Sequence, residues 1–462
     1  MKKRISEYFD SHTGDIIRDI GTLVAIPSVG TDPEEGAPFG RESRRAIQAA
    51  YDMAKGYGFD AHIVDDKLCI VEFGSGEPEL GILAHLDVVP AGEGWETEPY
   101  ACVFKDGRLY GRGVSDDKGP AVAALYALKA VKELRLPLKK RVQLILGSDE
   151  ERGSSDVKWY VKNYPTPPKV FTPDGDFPVI NTEKGRIHIT FHADVGKMEG
   201  VHVVSVHGGT VVNAVPASAE AVVAGITLCE AQKAADVLRG TEAELRCAPA
   251  PEGVRVTALG RASHASVCGE GVNAVCALLR YLLALPLSDN GGHRAIRVLY
   301  QAIPFGDTCG SALGVRCSDS VSGELTVNLG VFDYSAGGIF GGIDCRVPVS
   351  GDGERVFAGV QQALSGALET ELADMVRPHN TPETSDFVRG LLRIYTDYTS
   401  LPASAESMGG LTYAHEVPGG VCFGCMFPGK EQSMHEANEN IELADLLVSG
   451  KMFAQAIVEF CG

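Results

Sequence analysis

The chain has 462 residues, too many for one ordinary hydrophobic core and enough for two or three domains. Its 44% hydrophobic and 22% charged residues are those of a soluble globular protein. A net charge of -19, spread along the sequence without an acidic tail, would repel phosphate backbones and argues against a nucleic-acid partner.

Residues 4 to 27 read as a helix closing on Pro27, and Arg41 to Tyr57 as a second one stopped by Gly58. The opening Met1-Lys2-Lys3-Arg4 leads into this amphipathic, charged stretch and not into an apolar signal segment. Strand-like runs follow at Ala61 to Val64, Leu68 to Phe73 and Gly81 to Val89, then a helix at Pro120 to Leu134 and a strand at Arg141 to Leu146. This alternation predicts an α/β layer, a central sheet covered by helices. From about Gly185 the texture changes. Ile187 to Ala193, Val201 to Val206, Ala219 to Ala224, Val254 to Leu259, Leu325 to Val331 and Ile339 to Val347 read as strands, with helices at Glu230 to Leu238, Asn273 to Leu285 and Glu354 to Glu371. Arg377 to Pro382 has the composition of a crossing linker, which divides the chain into 1–184, an insertion 185–378, and 379–462. The most apolar run, Val272 to Leu287, is interrupted by Arg280, so no membrane span is expected.

Twelve cysteines without regular spacing read as reduced thiols of a cytoplasmic protein. Cys422 and Cys425 have the spacing of a redox pair but lie in an apolar run, where small buried residues are the simpler account. Gly424 to Lys430 matches the start of a phosphate-binding loop, yet Pro428 interrupts it and Glu431 stands where Ser or Thr must bind magnesium, so the match is accidental.

Histidine and carboxylates gather between Gly81 and Gly119. On a strand His85 and Asp87 share a face, which makes Asp87 the nearest group to hold the second ring nitrogen of a metal-bound His85. Ser115 to Gly119 sits at a strand-to-helix corner, where sites on α/β sheets collect. Alone, His85 is more simply a buried structural histidine. Three further clusters complete a donor set: Gly147-Ser148-Asp149-Glu150-Glu151 after a strand, Thr172-Pro173-Asp174-Gly175-Asp176, and Ser433-Met434-His435-Glu436.

Through HLDVVP (85–90), GRGVSDDKGP (111–120), GSDEE (147–151), TPDGDFPVINTEKG (172–185), VVNAVP (211–216), ASHAS (262–266), CMFPG (425–429) and MHEANE (434–439), the sequence resembles the di-zinc peptidase family of carboxypeptidases, aminoacylases and desuccinylases. Within it the likeness is to the PepV-type dipeptidases of Gram-positive bacteria. The resemblance implies a mixed-sheet α/β catalytic domain with an inserted α+β lid domain. It also implies two divalent metal ions about 3.5 to 4 Å apart around one bridging hydroxide. Zinc is the expected metal, and the mixed carboxylate and imidazole set also accepts manganese or cobalt. His85, Asp116 and Asp174 would hold one ion and Asp116, Glu151 and His435 the other, across an Asp116-Asp117 peptide that is cis in the family. Asp117 competes with Asp116 for the bridge. Glu150 would be the general base, unless Glu150 is the ligand and Glu151 faces solvent.

From the lid, the resemblance implies His264 as the donor to the oxyanion, Asn213 as a further polar contact and Arg346, in DCRVP (344–348), as the clamp for the substrate's C-terminal carboxylate. A turn residue, a turn asparagine before Pro216 and an exposed strand arginine are the structural alternatives. Gly409 and Gly410 match the family's glycine turn at the substrate, with Leu411 and His415 departing from its usual pattern. The expected partner is a small peptide with a free N-terminus, β-alanyl dipeptides such as carnosine included. An N-acyl amino acid deacylase or desuccinylase is the alternative, with a non-catalytic binding protein disfavoured because every catalytic position is filled. Since the insertion is about twice the length of that in dimeric relatives, a monomer is expected.

Overall fold

A computed structural model describes residues 1–430 and 433–462; Glu431 lies outside the described residues. The chain forms two compact units: 1–181 with 380–406 and 411–462, and 182–379 with 407–410.

In the first unit the central sheet follows the order Asp60–Val64, Leu68–Phe73, Arg141–Gly147, Pro78–His85, Lys169–Thr172, Gly420–Cys422 and Val179–Glu183. Pro78–His85 pairs in parallel with both Arg141–Gly147 and Lys169–Thr172. A strand flanked on both sides and covered on both faces must be apolar throughout, and this one is buried from Leu80 to His85. Parallel neighbours need a crossover, and the helix Lys118–Glu133 supplies it. That helix is buried all round from Lys118 to Val131, so its many alanines serve close approach: the C-terminal helix Leu443–Cys461 packs along it.

Two segments of this unit differ from expectation. The helix expected over 4–27 is two helices, Lys2–Ser11 and Thr13–Val24. His12 ends the first with φ -107 and ψ 10, its ring stacked on Tyr8 and its Nδ1 donating to the Tyr8 carbonyl at 2.7 Å. The strand expected over 81–89 ends at His85, so Leu86 to Val89 are already loop.

The second unit is built on one sheet of eight strands in the order Glu244–Ala250, Gly253–Leu259, Ser218–Ala224, His202–Gly208, Thr326–Ser335, Gly338–Val347, Gly185–Ala193 and Glu369–Val376. Every pairing in it is antiparallel. Helices Ala274–Leu282, Gly291–Ala302 and Gly353–Leu364 bury their apolar sides in the same core as the inward residues of the sheet. The helix expected over 354–371 stops at Leu364, because Ser365 turns to an extended ψ of 144 and Gly366 takes φ +81; Glu369–Val376 then runs as a largely exposed edge strand. Periodicity missed the edge strand Glu244–Ala250, which contains Pro249, and the helix Gly291–Ala302, whose two opening glycines hide its start.

Among the described residues no helix is long and apolar enough to cross a membrane. All twelve cysteines are thiols. Cys422 and Cys425 are both buried, and burial pushes the Cys425 thiol well above its ordinary value, which suits a packed residue and not a reactive one.

The contact between the terminal helices yields a test of packing. A Cβ at Gly450, in the helix Leu443–Cys461, would lie 2.3 Å from Cε1 of Phe9, a ring with 0% exposure. Gly450→Ala gains about 1 kcal/mol in helix propensity. Overpacking against an immobile ring costs about 1–3 kcal/mol, so the net effect is destabilising. The denaturant midpoint is expected to fall with an unchanged slope; a higher midpoint would show that Phe9 can yield.

Candidate metal centre

The carboxyl ends of three adjacent parallel strands deliver the first ligands, as open α/β sheets generally place their sites. Pro78–His85 ends on His85, Arg141–Gly147 runs into the turn carrying Glu150 and Glu151, and Lys169–Thr172 is followed by Asp174. Asp116 and Asp117 precede the helix Lys118–Glu133, joined by a cis peptide. His435 arrives on a loop near the C-terminus with φ +64.

Two groups of donor atoms result, His85 with Asp116 and Asp174, and Asp116 with Glu151 and His435, the atoms of each lying within 4.8 Å of one another. Asp116 belongs to both. Its Oδ1 is 2.8 Å from Nε2 of His85 and its Oδ2 is 3.0 Å from Nε2 of His435. His85 Nε2 is also 3.8 Å from Asp174, and His435 Nε2 is 3.3 Å from Glu151. Asp117 is turned elsewhere. Its Oδ2 accepts the backbone N–H of His85 at 3.1 Å, while its Oδ1 is buried with no hydrogen-bond partner. Glu150 stands beside Glu151 in the turn Glu150–Arg152 and belongs to neither group.

Asp87 faces the second ring nitrogen of His85, although the strand has ended before it. The ring of His85 donates from Nδ1 to the Asp87 backbone carbonyl at 3.0 Å, which leaves Nε2 unprotonated toward Asp116 in the neutral ring. The Asp87 carboxylate, with Oδ1 3.4 Å from the same ring nitrogen, also accepts the backbone N–H groups of Glu150 at 3.2 Å and Glu151 at 3.0 Å. One residue thus orients a ligand ring and fixes the Glu150-Glu151 backbone. Behind that turn Asp156 accepts N–H groups from Ser148 at 2.7 Å and Asp149 at 3.2 Å and the Tyr413 hydroxyl at 2.6 Å. Gly147 leaves room for this arrangement, since a Cβ there would sit 2.2 Å from the Tyr413 oxygen. Tyr413 was visible inside the glycine-turn motif; nothing in the sequence near Asp156 pointed to it.

The electrostatics describe a cation site. Burial, then the Asp174 carboxylate, pushes Glu150 well above the usual carboxylate range, and burial with Asp116 pushes Asp174 up to about 7. Burial likewise holds Asp117 well above its ordinary value. Burial opposes ionisation of Asp116 too, but hydrogen bonds from His435 and His85 hold it well below the carboxylate range. The same contacts with Asp116 and Glu151 push His435 up to about 11. Crowded buried carboxylates that draw protons onto neighbouring imidazoles, with one carboxylate oxygen unpartnered, fit divalent cations in place of those protons. The oxygen and nitrogen donors suit zinc, manganese or cobalt.

In the second unit, Asn213 and His264 lie on adjoining segments: the Asn213 carbonyl accepts the N–H of Ala265 at 2.8 Å, and Ala214 bridges to His264. Nδ1 of His264 accepts the backbone N–H of Ser266 at 3.3 Å, which puts the proton of a neutral ring on Nε2. Gly409 packs on this turn, where a Cβ would meet that of Ser266 at 2.3 Å. Arg346 is not an exposed strand arginine. It is 3% exposed, its Nε and Nη2 donate to the two oxygens of Asp344 at 2.8 and 3.0 Å, and its Nη1 donates to the Gly409 carbonyl at 2.7 Å. Asp344 in turn meets Nε2 of His188 at 2.8 Å. Gly409 and Gly410, expected with 379–462, group with this second unit, whereas Leu411 and His415 belong to the first.

The profile of Peptidase family M20/M25/M40 matches residues 81–459. The chain belongs to that family. "Putative dipeptidase YtjP" of Bacillus subtilis (strain 168) is 36% identical over 454 residues, covering 96% of this chain and 97% of its own. "Putative dipeptidase SAR1836" of Staphylococcus aureus (strain MRSA252) is 33% identical over 480 residues, covering 100% and 99%. Among solved structures, human carnosine dipeptidase 1 aligns with a TM-score of 0.60 at 18% identity over 100% of both chains. The M20 family metallo-carboxypeptidase Sso-CP2 of Sulfolobus solfataricus aligns at 0.59 and 16% identity, covering 96% of this chain and 99% of its own. These likenesses show the M20 fold, an α/β catalytic unit interrupted by an α+β insertion. The chain is a metal-dependent peptide hydrolase of family M20.

Proposed function

We propose that the protein is a dinuclear metallo-dipeptidase that cleaves short peptides with a free N-terminus, β-alanyl dipeptides such as carnosine among them. The observation that carries this reading is the pair of donor groups joined through the two oxygens of Asp116, with the unligated Glu150 alongside. Relatives over nearly the full length that bear the name dipeptidase support the substrate class.

Two divalent cations, held by His85, Asp116 and Asp174 and by Asp116, Glu151 and His435, would polarise the scissile carbonyl and make water acidic enough to attack it near neutral pH. The chain's own residues do the rest. Glu150 takes the proton from the attacking water and passes it to the leaving amine. Asp87 holds the Glu150 backbone, and so aims that carboxylate. His264, with its proton on Nε2, donates to the oxygen that becomes negative in the transition state, and Asn213 is a second contact there. Arg346 binds the C-terminal carboxylate of the substrate. Three of its five N–H groups are committed to Asp344 and Gly409, which fixes the guanidinium plane and leaves two donors for a ligand. One chain supplies both sets of residues and acts as a monomer. The length of the insertion, which holds a continuous eight-stranded sheet within one chain, supports this reading.

Chelation is expected to abolish activity, and Glu150→Gln to keep two metals per chain while losing turnover by several orders of magnitude. Near-normal turnover with two metals bound would remove Glu150 from the mechanism.

Arg346→Ala is expected to raise KM strongly for free dipeptides and much less for C-terminally amidated ones. Equal damage to both substrates would make the arginine structural.

Mixing Glu150→Gln protein with His264→Ala protein tests assembly. Activity should remain the sum of the two variants; recovery of a sizeable fraction of wild-type activity would show sites shared between chains.

A further inference from the structure

Every ligand except His435 is attached close to the end of a strand or helix, whereas His435 stands on a loop with its side chain 56% exposed. Something other than regular structure must set its place. The residue four positions on, Glu439, is fully buried and reaches back to the Asp116 segment. Its Oε1 accepts the N–H groups of Gly113 at 3.0 Å, Ser115 at 2.9 Å and Asp116 at 3.1 Å. Its Oε2 accepts the Gly113 N–H at 3.0 Å and Nη1 of Arg112 at 2.7 Å, while its main-chain oxygen accepts the N–H of Gly111 at 3.0 Å.

Arg112 extends the contact to a third segment. It is 1% exposed, its Nη2 donates to the carbonyls of Pro90 and Ala91 at 3.3 Å, and its guanidinium lies 5.3 Å from the Trp95 ring centre. Asn438 ties the same loop to that segment, accepting the N–H of Glu96 at 2.7 Å and donating to the Gly94 carbonyl at 3.3 Å. The loops 90–96, 111–117 and 433–440 therefore close around one carboxylate.

We propose that Glu439 is a positioning residue that sets Asp116 and His435 relative to each other, so that its loss weakens one of the two metal positions selectively. Both positions share Asp116 and lose part of its hold, but one keeps His85 at the end of its strand and Asp174 two residues beyond another, while the other also loses the register of its loop ligand His435. The inference rests on the two-cation reading above. Loss of an outer partner of a metal ligand typically costs roughly 10- to 100-fold in affinity. In Glu439→Gln either orientation of the amide points an NH2 at N–H donors where an oxygen accepted them, so volume is kept and the network is broken.

The test is to titrate the chelator-stripped full chain with zinc against a chromophoric competitor, and to follow thermal unfolding of the stripped protein alongside. Two binding events are expected in the wild type. In Glu439→Gln one event should weaken roughly 10- to 100-fold while the other stays within about threefold. A wild-type chain that binds fewer than two zinc ions overturns the two-cation reading and this inference with it. Two ions in the wild type with both variant affinities unchanged, or both equally reduced, overturns this inference alone, even where the unfolding midpoint has fallen. Should Glu439→Gln fail to fold, Asn438→Gly replaces it, at a residue whose φ of +61 suits glycine. The same single event should weaken several-fold, and an unchanged titration overturns the proposal.

Discussion

The structure turns on the cost of burying carboxylates together. Asp116, Asp117, Glu150, Glu151 and Asp174 are largely buried in the first unit, and desolvation leads the causes that alter the proton affinity of each. Taking a carboxylate out of water costs several kcal/mol per ion even after relaxation. Cations offset that most directly where few N–H donors reach the carboxylates, and two histidines are the cationic groups that the chain itself places on Asp116. The donor set is therefore tolerable to the fold because it is a cation site, and its ligand geometry has to be imposed by the backbone.

The imposing is done from behind. Asp87 and Asp156 are carboxylates too, yet they accept backbone N–H groups and among the described residues no metal donor set includes them. A carboxylate accepting several N–H groups fixes a turn more rigidly than a hydroxyl does, and its charge is spread over the donors. Around the Glu150-Glu151 turn the chain uses this device twice, and the alternation of ligand and support explains why acidic residues crowd 147–156.

That division of labour explains what the sequence could reveal. His85, Asp116, Glu151, Asp174 and His435 were legible because each sits in a short local motif, and the structure gathers those same residues into two groups. Asp87 was legible as the residue beside the second nitrogen of His85, and although the strand stops at His85 both its carbonyl, at 3.0 Å, and its carboxylate, at 3.4 Å, face that nitrogen. Arg346 could be named; that Asp344 and His188 hold it could not, because His188 comes from a strand more than 150 positions away. Helical periodicity carried on past Leu364 until Gly366 reversed the chain, and the break at His12 depends on a ring stacked on Tyr8, which no periodicity records. The placement of Gly409 and Gly410 with the second unit is likewise tertiary, set by the Arg346 hydrogen bond and by contact with Ser266.

The two donor groups are also chemically unequal, and secondary structure makes them so. His85 has 0% exposure, ends a fully buried strand and has its second nitrogen fixed by a carbonyl two residues on. His435 has a left-handed backbone on an exposed loop. A ligand at a strand end has its direction determined by the sheet, whereas a loop ligand samples directions unless it is tied. Metal exchange should accordingly be governed by the His435 side, with the His85 side serving as the permanent half.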